Sequence, residues 1–178
     1  MIRAAYSGNS TLGSVPEFQS NKYKIKMSQL NNILKGRLFG HPIHMMLVHF
    51  PSALFPLSAS FALISFLLHN NELALFNFYI ICTGAAMGWL ALIFGIIELL
   101  QIQELEAPFK IALIHGGLNS LWVSVFTILA GVQVKYYPIM PVPSLAQVII
   151  EIAVVLMMLY SNFLGGELVL KHGIGKKV

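Results

Sequence analysis

Histidines are the residues of this sequence whose type and spacing suit chemistry. Charged and imidazole groups are costly in hydrocarbon, so histidines inside apolar segments usually serve a function. Imidazole is the commonest metal ligand, and histidines on facing helices hold haem or a metal ion in bundle cores. Five of the six histidines fall at one end of the apolar segments of the chain: His41, His44, His49, His115 and His172.

Four apolar segments must position these histidines, and they cover residues 43–68, 73–100, 109–134 and 145–170. Each reaches the ~20 residues that a helix needs to cross ~30 Å of hydrocarbon. The chain is 57% hydrophobic and only 10% charged, whereas a soluble domain carries about 25% charged residues. The pattern predicts an all-α polytopic membrane protein, a four-transmembrane-helix bundle with up-down-up-down topology.

Lysine and arginine predict the orientation of this bundle. Both chain ends lie on one side of the predicted membrane, called the terminal side below, and that side receives every lysine and arginine except Lys135. The positive-inside rule therefore places both termini in the cytoplasm, in a bacterial inner membrane. The basic residues follow the loops and form no stripe with aromatic residues, so the expected partner is the lipid bilayer and not nucleic acid.

The chain divides into four predicted parts. Residues 1–27 are polar and lack the apolar core of a secretory signal, so we expect a flexible segment; either a start at Met27 or a transit peptide explains it. Residues 28–40 place their leucines and one isoleucine on a single helical face, which predicts a short amphipathic helix in the membrane interface. The membrane domain then covers residues 41–172, and residues 173–178 form a basic tail.

His49 and His115 are the predicted ligands of haem b. If the first and third helices begin near Ile43 and Phe109, each histidine lies ~9 Å below the terminal surface at 1.5 Å per residue. These two helices run in the same direction, so the imidazoles are expected at one level, as two axial haem ligands require. The glycine pair 116–117 either leaves room for a flat cofactor or serves helix contacts.

A shallower site is a second expectation. His41, His44 and His172 lie near the terminal interface and are expected close together, because the first and fourth helices should touch. Glu98 and Glu167 end the second and fourth helices on the same side. They can orient an imidazole from behind or bind a divalent metal directly. Alternatively, these groups simply hydrogen-bond to each other and cap helix ends.

Several residues inside the spans carry packing signals. Gly84 and Gly88 form a GxxxG pattern, which favours close helix contact within the bundle over a dimer face. Pro51 and Pro56 predict a kink in the first span, which neighbouring helices can tolerate. Glu151 lies early in the fourth span, where it either faces a polar cavity or reaches back to the opposite interface.

Three motifs resemble a known bacterial membrane-protein family. They are GHPIHMMLVHFP at residues 40–51, HGGLN at 115–119 and GGELVLKHGIG at 165–175. They are similar to motifs of domain of unknown function 2231, in which an acidic residue like Glu98 usually closes the second span. Met45 departs from the usual proline. The resemblance implies four membrane helices and no defined activity, and the association of some members with cytochrome or iron–sulfur domains implies electron transfer.

Together these observations predict a small integral membrane subunit that binds haem b and transfers electrons with other membrane subunits of a redox complex. The sequence contains no Ser/His/Asp order, phosphate loop or paired acid–base carboxylates, so we expect no independent catalytic activity. One alternative is a structural or accessory subunit without a cofactor. The other is a membrane protein that binds a divalent metal through histidine and glutamate.

Overall fold

The computed structural model describes residues 32, 36–38, 41–100, 102 and 107–174. The predicted flexible segment 1–27 lies outside this part of the chain, as do most of the predicted interfacial helix and the last four residues of the tail. Strand β1 (Arg37–Leu38) pairs antiparallel with β2 (His41–Pro42). The interfacial helix predicted for residues 28–40 therefore does not extend over residues 37 and 38.

Four spans form the fold, and the all-α membrane prediction is confirmed. Each is long and apolar enough to cross a membrane. The first span comprises two helices, and the third is prolonged by one 3₁₀ turn at Val134–Tyr136. The helices are α1 (Ile43–Leu47) and α2 (His49–Leu68), α3 (Asn71–Leu99), α4 (Ala107–Gln133), and α5 (Leu145–Leu170).

Pro51 accounts for the interruption between α1 and α2. It has no N–H, so the carbonyl of Leu47 cannot receive the usual helical bond, and the proline ring crowds that carbonyl. Helical bonds continue around the break, from the Val48 N–H to His44 O at 3.0 Å and from the Ser52 N–H to Val48 O at 3.1 Å. The predicted irregularity of the first span therefore lies at Val48, immediately after α1, the short helix that contains His44.

Side-chain caps fix where two spans begin on the opposite side of the membrane. The Asn70 side chain accepts a hydrogen bond from the Leu73 N–H at 3.0 Å, and the Ser144 hydroxyl accepts one from the Gln147 N–H at 3.2 Å. Such caps satisfy N–H groups that have no partner within the helix. His69 ends α2 in the left-handed conformation at φ 51° and is exposed.

The spans close into a ring. Helix α2 packs on α3, α3 on α4 and α4 on α5, and α5 returns to α2. The predicted contact between the first and fourth spans is thus confirmed. Helix α1 packs on α3, which brings the start of the first span against the end of the second.

An apolar core occupies the middle of the ring. Its centre is a stacked pair, Phe55 and Phe126, whose ring centroids are 3.9 Å apart and whose planes differ by 5°. Many large apolar side chains point outward instead, which is what a surface facing lipid tails requires. The core consists of Phe55, Ile81, Trp122, Val123, Phe126, Val154 and Met158.

Gly84 and Gly88 are used inside the bundle, as predicted. A Cβ atom at Gly84 would lie 2.7 Å from Cε1 of Phe55, and one at Gly88 would lie 2.7 Å from Cγ2 of Val123. The two glycines thus let α3 approach the first and third spans at once. Both glycines of the motif are therefore in contact with helices of the same chain.

We predict that Gly84→Ala and Gly88→Ala each destabilise the bundle, whereas Gly131→Ala does not. Overpacking costs typically about 1–3 kcal/mol, and a Cβ at Gly131 would meet nothing within 4 Å. The measurement is the midpoint of thermal unfolding in one detergent, followed by circular dichroism. Equal midpoints for all three variants would contradict the packing described here.

Candidate functional site: a histidine-lined cavity

A cavity of about 590 Å³ lies among all four spans on the terminal side. Its size falls within the range of about 300–1,000 Å³ that is usual for ligand pockets. Most of its wall is apolar, and the polar groups are few. The polar side chains that line it are His44, His49, Ser52, Glu98, His115, Asn119, Ser120 and Asn162.

His44 is held against the second span by a glycine and a carbonyl. A Cβ atom at Gly95 would lie 3.0 Å from Cε1 of His44, so the imidazole rests directly on the backbone there. Its Nδ1 is 2.8 Å from the carbonyl oxygen of Ala91, four residues before that glycine. A carbonyl can only accept, so Nδ1 carries the hydrogen and donates it.

His115 is held against the fourth span in the same way. A Cβ atom at Gly165 would lie 2.7 Å from Cε1 of His115, and Nδ1 donates to the carbonyl oxygen of Ser161 at 2.7 Å. Again the carbonyl lies four residues before the glycine. The third and fourth spans therefore repeat the arrangement of the first and second.

In both arrangements the bond at Nδ1 fixes the tautomer. With hydrogen on Nδ1, the Nε2 atom of each imidazole is the one that can bind a metal ion. The outer hydrogen bond also restrains the ring and raises its basicity as a ligand. Backbone carbonyls therefore perform the orienting role that the sequence had suggested for Glu98 and Glu167.

The imidazole that contacts His115 is that of His44. Their ring centroids are 6.4 Å apart, and their planes cross at 83°. His49 lines the same cavity but is exposed. We had predicted equal depth for His49 and His115 on the assumption that both helices begin at one level. In the structure His44 lies at the level of His115 instead. His44 is one residue after the start of α1 at Ile43, whereas His115 is eight residues after the start of α4 at Ala107, so the two helices do not begin at one level.

His115 has a polar environment that His44 lacks. The Asn119 amide nitrogen donates to Ser161 Oγ and to His115 O, both at 2.8 Å, and lies beside the imidazole, 3.2 Å from Nδ1 and 3.3 Å from Nε2. Asn119 and Ser161 were not among the predicted site residues.

The shallower set of predicted residues does not assemble into a metal site. His41 and His172 are exposed, and Glu167 forms an ion pair with Lys171 at 2.7 Å. Glu98 does line the cavity. Among the described residues, no group of three or more histidine, cysteine, aspartate or glutamate side chains is placed to hold a metal ion.

Two buried atoms of cavity residues have no hydrogen-bond partner in the described part of the chain. They are Oε1 of Glu98 and Nε1 of Trp122, and buried polar atoms are normally paired. Gly116, Gly117 and Gly166 also line the cavity, and a Cβ atom at any of them would meet nothing within 4 Å. The cavity thus contains an unpaired oxygen of Glu98, an unpaired N–H of Trp122 and open space beside glycine backbone.

The repeat of the histidine arrangement left a signal in the sequence. Gly95 lies 51 positions after His44, and Gly165 lies 50 positions after His115. Because the two spacings differ by one residue, a comparison of the two halves of the chain relates His44 to His115 only approximately and does not by itself identify the glycines. Nothing in the sequence marks Trp122, because its unpaired nitrogen depends on how the helices are rotated.

Comparison with known proteins gives one result. A family model described as a predicted membrane protein, DUF2231, matches residues 40–178. No curated protein and no solved structure is significantly similar to the chain.

We predict that nitrogen NMR of histidine-labelled protein in lipid shows hydrogen on Nδ1 of His44 and His115. Gly95→Ala should change the His44 signals most, and Gly165→Ala the His115 signals most, because each added methyl displaces one ring from its carbonyl. His69, which is exposed on the opposite side, serves as the unchanged reference. Hydrogen on Nε2 of both rings would contradict the geometry.

Proposed function

The chain belongs to the DUF2231 family of predicted membrane proteins, and on that premise we propose that it binds haem b between His44 and His115 and carries electrons. The observation that supports this most directly is the matched pair of imidazoles. Each donates through Nδ1 to a backbone carbonyl, so each presents Nε2 for coordination.

The separation of the two rings suits one metal ion between them. Two imidazoles that bind an ion from opposite sides, with metal–nitrogen bonds of ~2.0–2.1 Å, place their ring centroids roughly 6–6.5 Å apart. The observed separation is 6.4 Å. Since carboxylates do not complete a cluster around these histidines among the described residues, a cofactor that brings its own equatorial ligands fits better than a bare ion.

The cavity also suits a flat apolar ring system. It is mostly apolar, and Gly116, Gly117 and Gly166 present backbone without side chains to it. Trp122 Nε1 and Glu98 Oε1 are polar atoms that the protein itself leaves unused. These features support a bound group that fills the space and meets a few polar atoms.

Bound haem would supply a one-electron redox centre. The protein would hold it through His44 and His115, and the carbonyls of Ala91 and Ser161 would keep both rings in the required tautomer. The Asn119 amide would keep its bonds to Ser161 Oγ and to the His115 carbonyl, both at 2.8 Å. Electron exchange would need other membrane subunits of a redox complex. The association of some family members with cytochrome or iron–sulfur domains is consistent with such partners.

We further propose that the protein resides in a bacterial inner membrane with both termini in the cytoplasm. The support is the distribution of lysine and arginine, of which Lys135 alone falls on the opposite side. In this orientation the histidine cavity lies in the cytoplasmic half of the bilayer.

Purified protein made with haem available should show a Soret band with a low-spin spectrum. His44→Ala and His115→Ala should each abolish that spectrum, because each removes one axial ligand. The measurement is visible absorption together with electron paramagnetic resonance of the oxidised protein. His49→Ala is the matched control, since His49 lines the cavity without contacting the other two rings, and it should retain the low-spin spectrum.

A second pair of variants tests the cavity without touching a ligand. Gly117→Leu should prevent haem uptake by filling open space, and Gly131→Leu, also in open space on α4 but away from the cavity, should leave uptake unchanged. A colourless wild-type protein that retains its fold would favour the accessory-subunit alternative. Bound metal without a Soret band would favour the histidine–glutamate metal alternative.

A reporter protein that is active only in the cytoplasm should work when fused after Val178 or inserted between α3 and α4, within residues 101–106. The same reporter inserted in the 137–144 connection should be inactive, because that connection would be periplasmic. Whole-cell reporter activity, normalised to the amount of fusion protein in the membrane, is the measurement. The reverse pattern would reject the proposed orientation.

A further inference from the structure

A second polar site lies on the opposite side of the bundle, around Glu151. This glutamate is 0% exposed, and so are its neighbours Ser58 and Asn77. Ser58 Oγ lies 2.9 Å from Oε2, the Asn77 amide donates to Oε2 at 3.1 Å, and the Gln147 amide donates to Oε1 at 2.9 Å. Three spans therefore converge on one carboxyl group.

Every hydrogen-bond partner of this carboxyl is neutral. The ion pair of the described residues is Lys171–Glu167, at the terminal side. Lys135 lies over the ring of Tyr136, 4.8 Å from its centroid. The titratable side chains at this end of the bundle make no hydrogen bond to Glu151; Cys82 is partly buried, and the others are exposed: His69, Glu72, Tyr79, Lys135, Tyr136 and Tyr137.

Ser58 makes the network suitable for two protonation states. Its single hydroxyl hydrogen has two acceptors within reach, Oε2 of Glu151 at 2.9 Å and the carbonyl of Phe55 at 3.1 Å. When Glu151 is a carboxylate, Ser58, Asn77 and Gln147 all donate to it. When Glu151 is protonated on Oε2, that O–H can donate to Ser58 Oγ, and Ser58 can turn its own hydrogen to the Phe55 carbonyl.

No donor or acceptor is lost in either state. The two Asn77 N–H groups reach the Ser58 carbonyl, at 2.8 Å, and Oε2 of Glu151. Those of Gln147 reach Oε1 of Glu151 and, at 3.5 Å, the Asn77 side-chain oxygen. A buried group that keeps all its hydrogen bonds in both forms avoids the cost of an unpaired polar atom.

We propose that Glu151 is a proton-binding site within the membrane and that the Ser58 hydroxyl is its switch. Ionisable residues held inside membrane bundles commonly carry protons. On loading, a hydronium ion at the opposite surface gives its proton to Oε2 and leaves water, and the Ser58 O–H rotates to Phe55. Release reverses both changes. Gln147, one turn nearer the helix start and only partly buried, marks the route to that surface.

Infrared difference spectroscopy of the full chain in lipid vesicles tests this assignment. We expect a carboxylic-acid C=O band that weakens as the pH is raised, shifts in D₂O and is absent from Glu151→Gln. Glu98→Gln and Glu167→Gln should retain it. The experiment needs no bound haem, so its failure and failure of the haem proposal are distinguishable.

Ser58→Ala should move the band to higher frequency, because the acid loses its acceptor. Ser60→Ala is the matched control: Ser60 lies on the same helix, is exposed and donates to the Pro56 carbonyl at 2.9 Å. If Glu151→Gln does not fold, the D₂O shift and the two serine variants still decide the matter. A Glu151 band absent at every pH, unchanged by pH and D₂O, or displaced by sodium at constant pH would overturn the assignment.

Discussion

Polar groups within a lipid bilayer must find their partners inside the protein, and in this bundle the helix backbone itself supplies two of them. A helical carbonyl has two lone pairs and uses one for the N–H four residues later. In Ala91 and Ser161 the second lone pair of the carbonyl oxygen accepts a hydrogen bond from the Nδ1–H of a histidine on another helix. The flank of each carbonyl is open because the residue four positions later, Gly95 or Gly165, has no Cβ atom. The terminal half of the bundle is organised around these two contacts.

The two contacts are equivalent in construction and differ in surroundings. Ala91 offers a carbonyl and a methyl group, whereas Ser161 offers a carbonyl and a hydroxyl that is tied to Asn119 at 2.8 Å. The cavity is thus lined by the Asn119 amide on the side of His115 and by the Glu98 carboxyl on α3, the helix that holds His44. Such asymmetry would give a bound ring system a preferred orientation, although the two histidines would hold it in the same way.

The sequence predicted the four spans to within a few residues, because length and hydrophobicity alone determine which segments can cross lipid. It predicted the in-bundle use of Gly84 for a similar reason, since small residues at that spacing permit close contact. The partner of His115 was not predictable by counting depth. The stagger between helices depends on packing and on the break at Val48, which Pro51 causes. The hydrogen-bond network around Glu151 was also not predicted, because Ser58, Asn77 and Gln147 come together only when three helices are rotated in a particular way.

The stacked rings of Phe55 and Phe126 belong to the apolar core that lies between the hydrogen-bonded Glu151 and the histidine-lined cavity. Along α5, Glu151 and Ser161 are separated by the apolar residues Val154 and Met158 and by ~15 Å of helix at 1.5 Å per residue. A layer of low dielectric constant carries most of a voltage applied across it. A charge that appears at one site would therefore experience a different part of the membrane potential from a charge at the other, and the full drop is worth ~2.3 kcal/mol per elementary charge per 100 mV. The apolar layer around these rings thus separates, along the membrane normal, the buried carboxyl group of Glu151 from the two partly buried imidazoles.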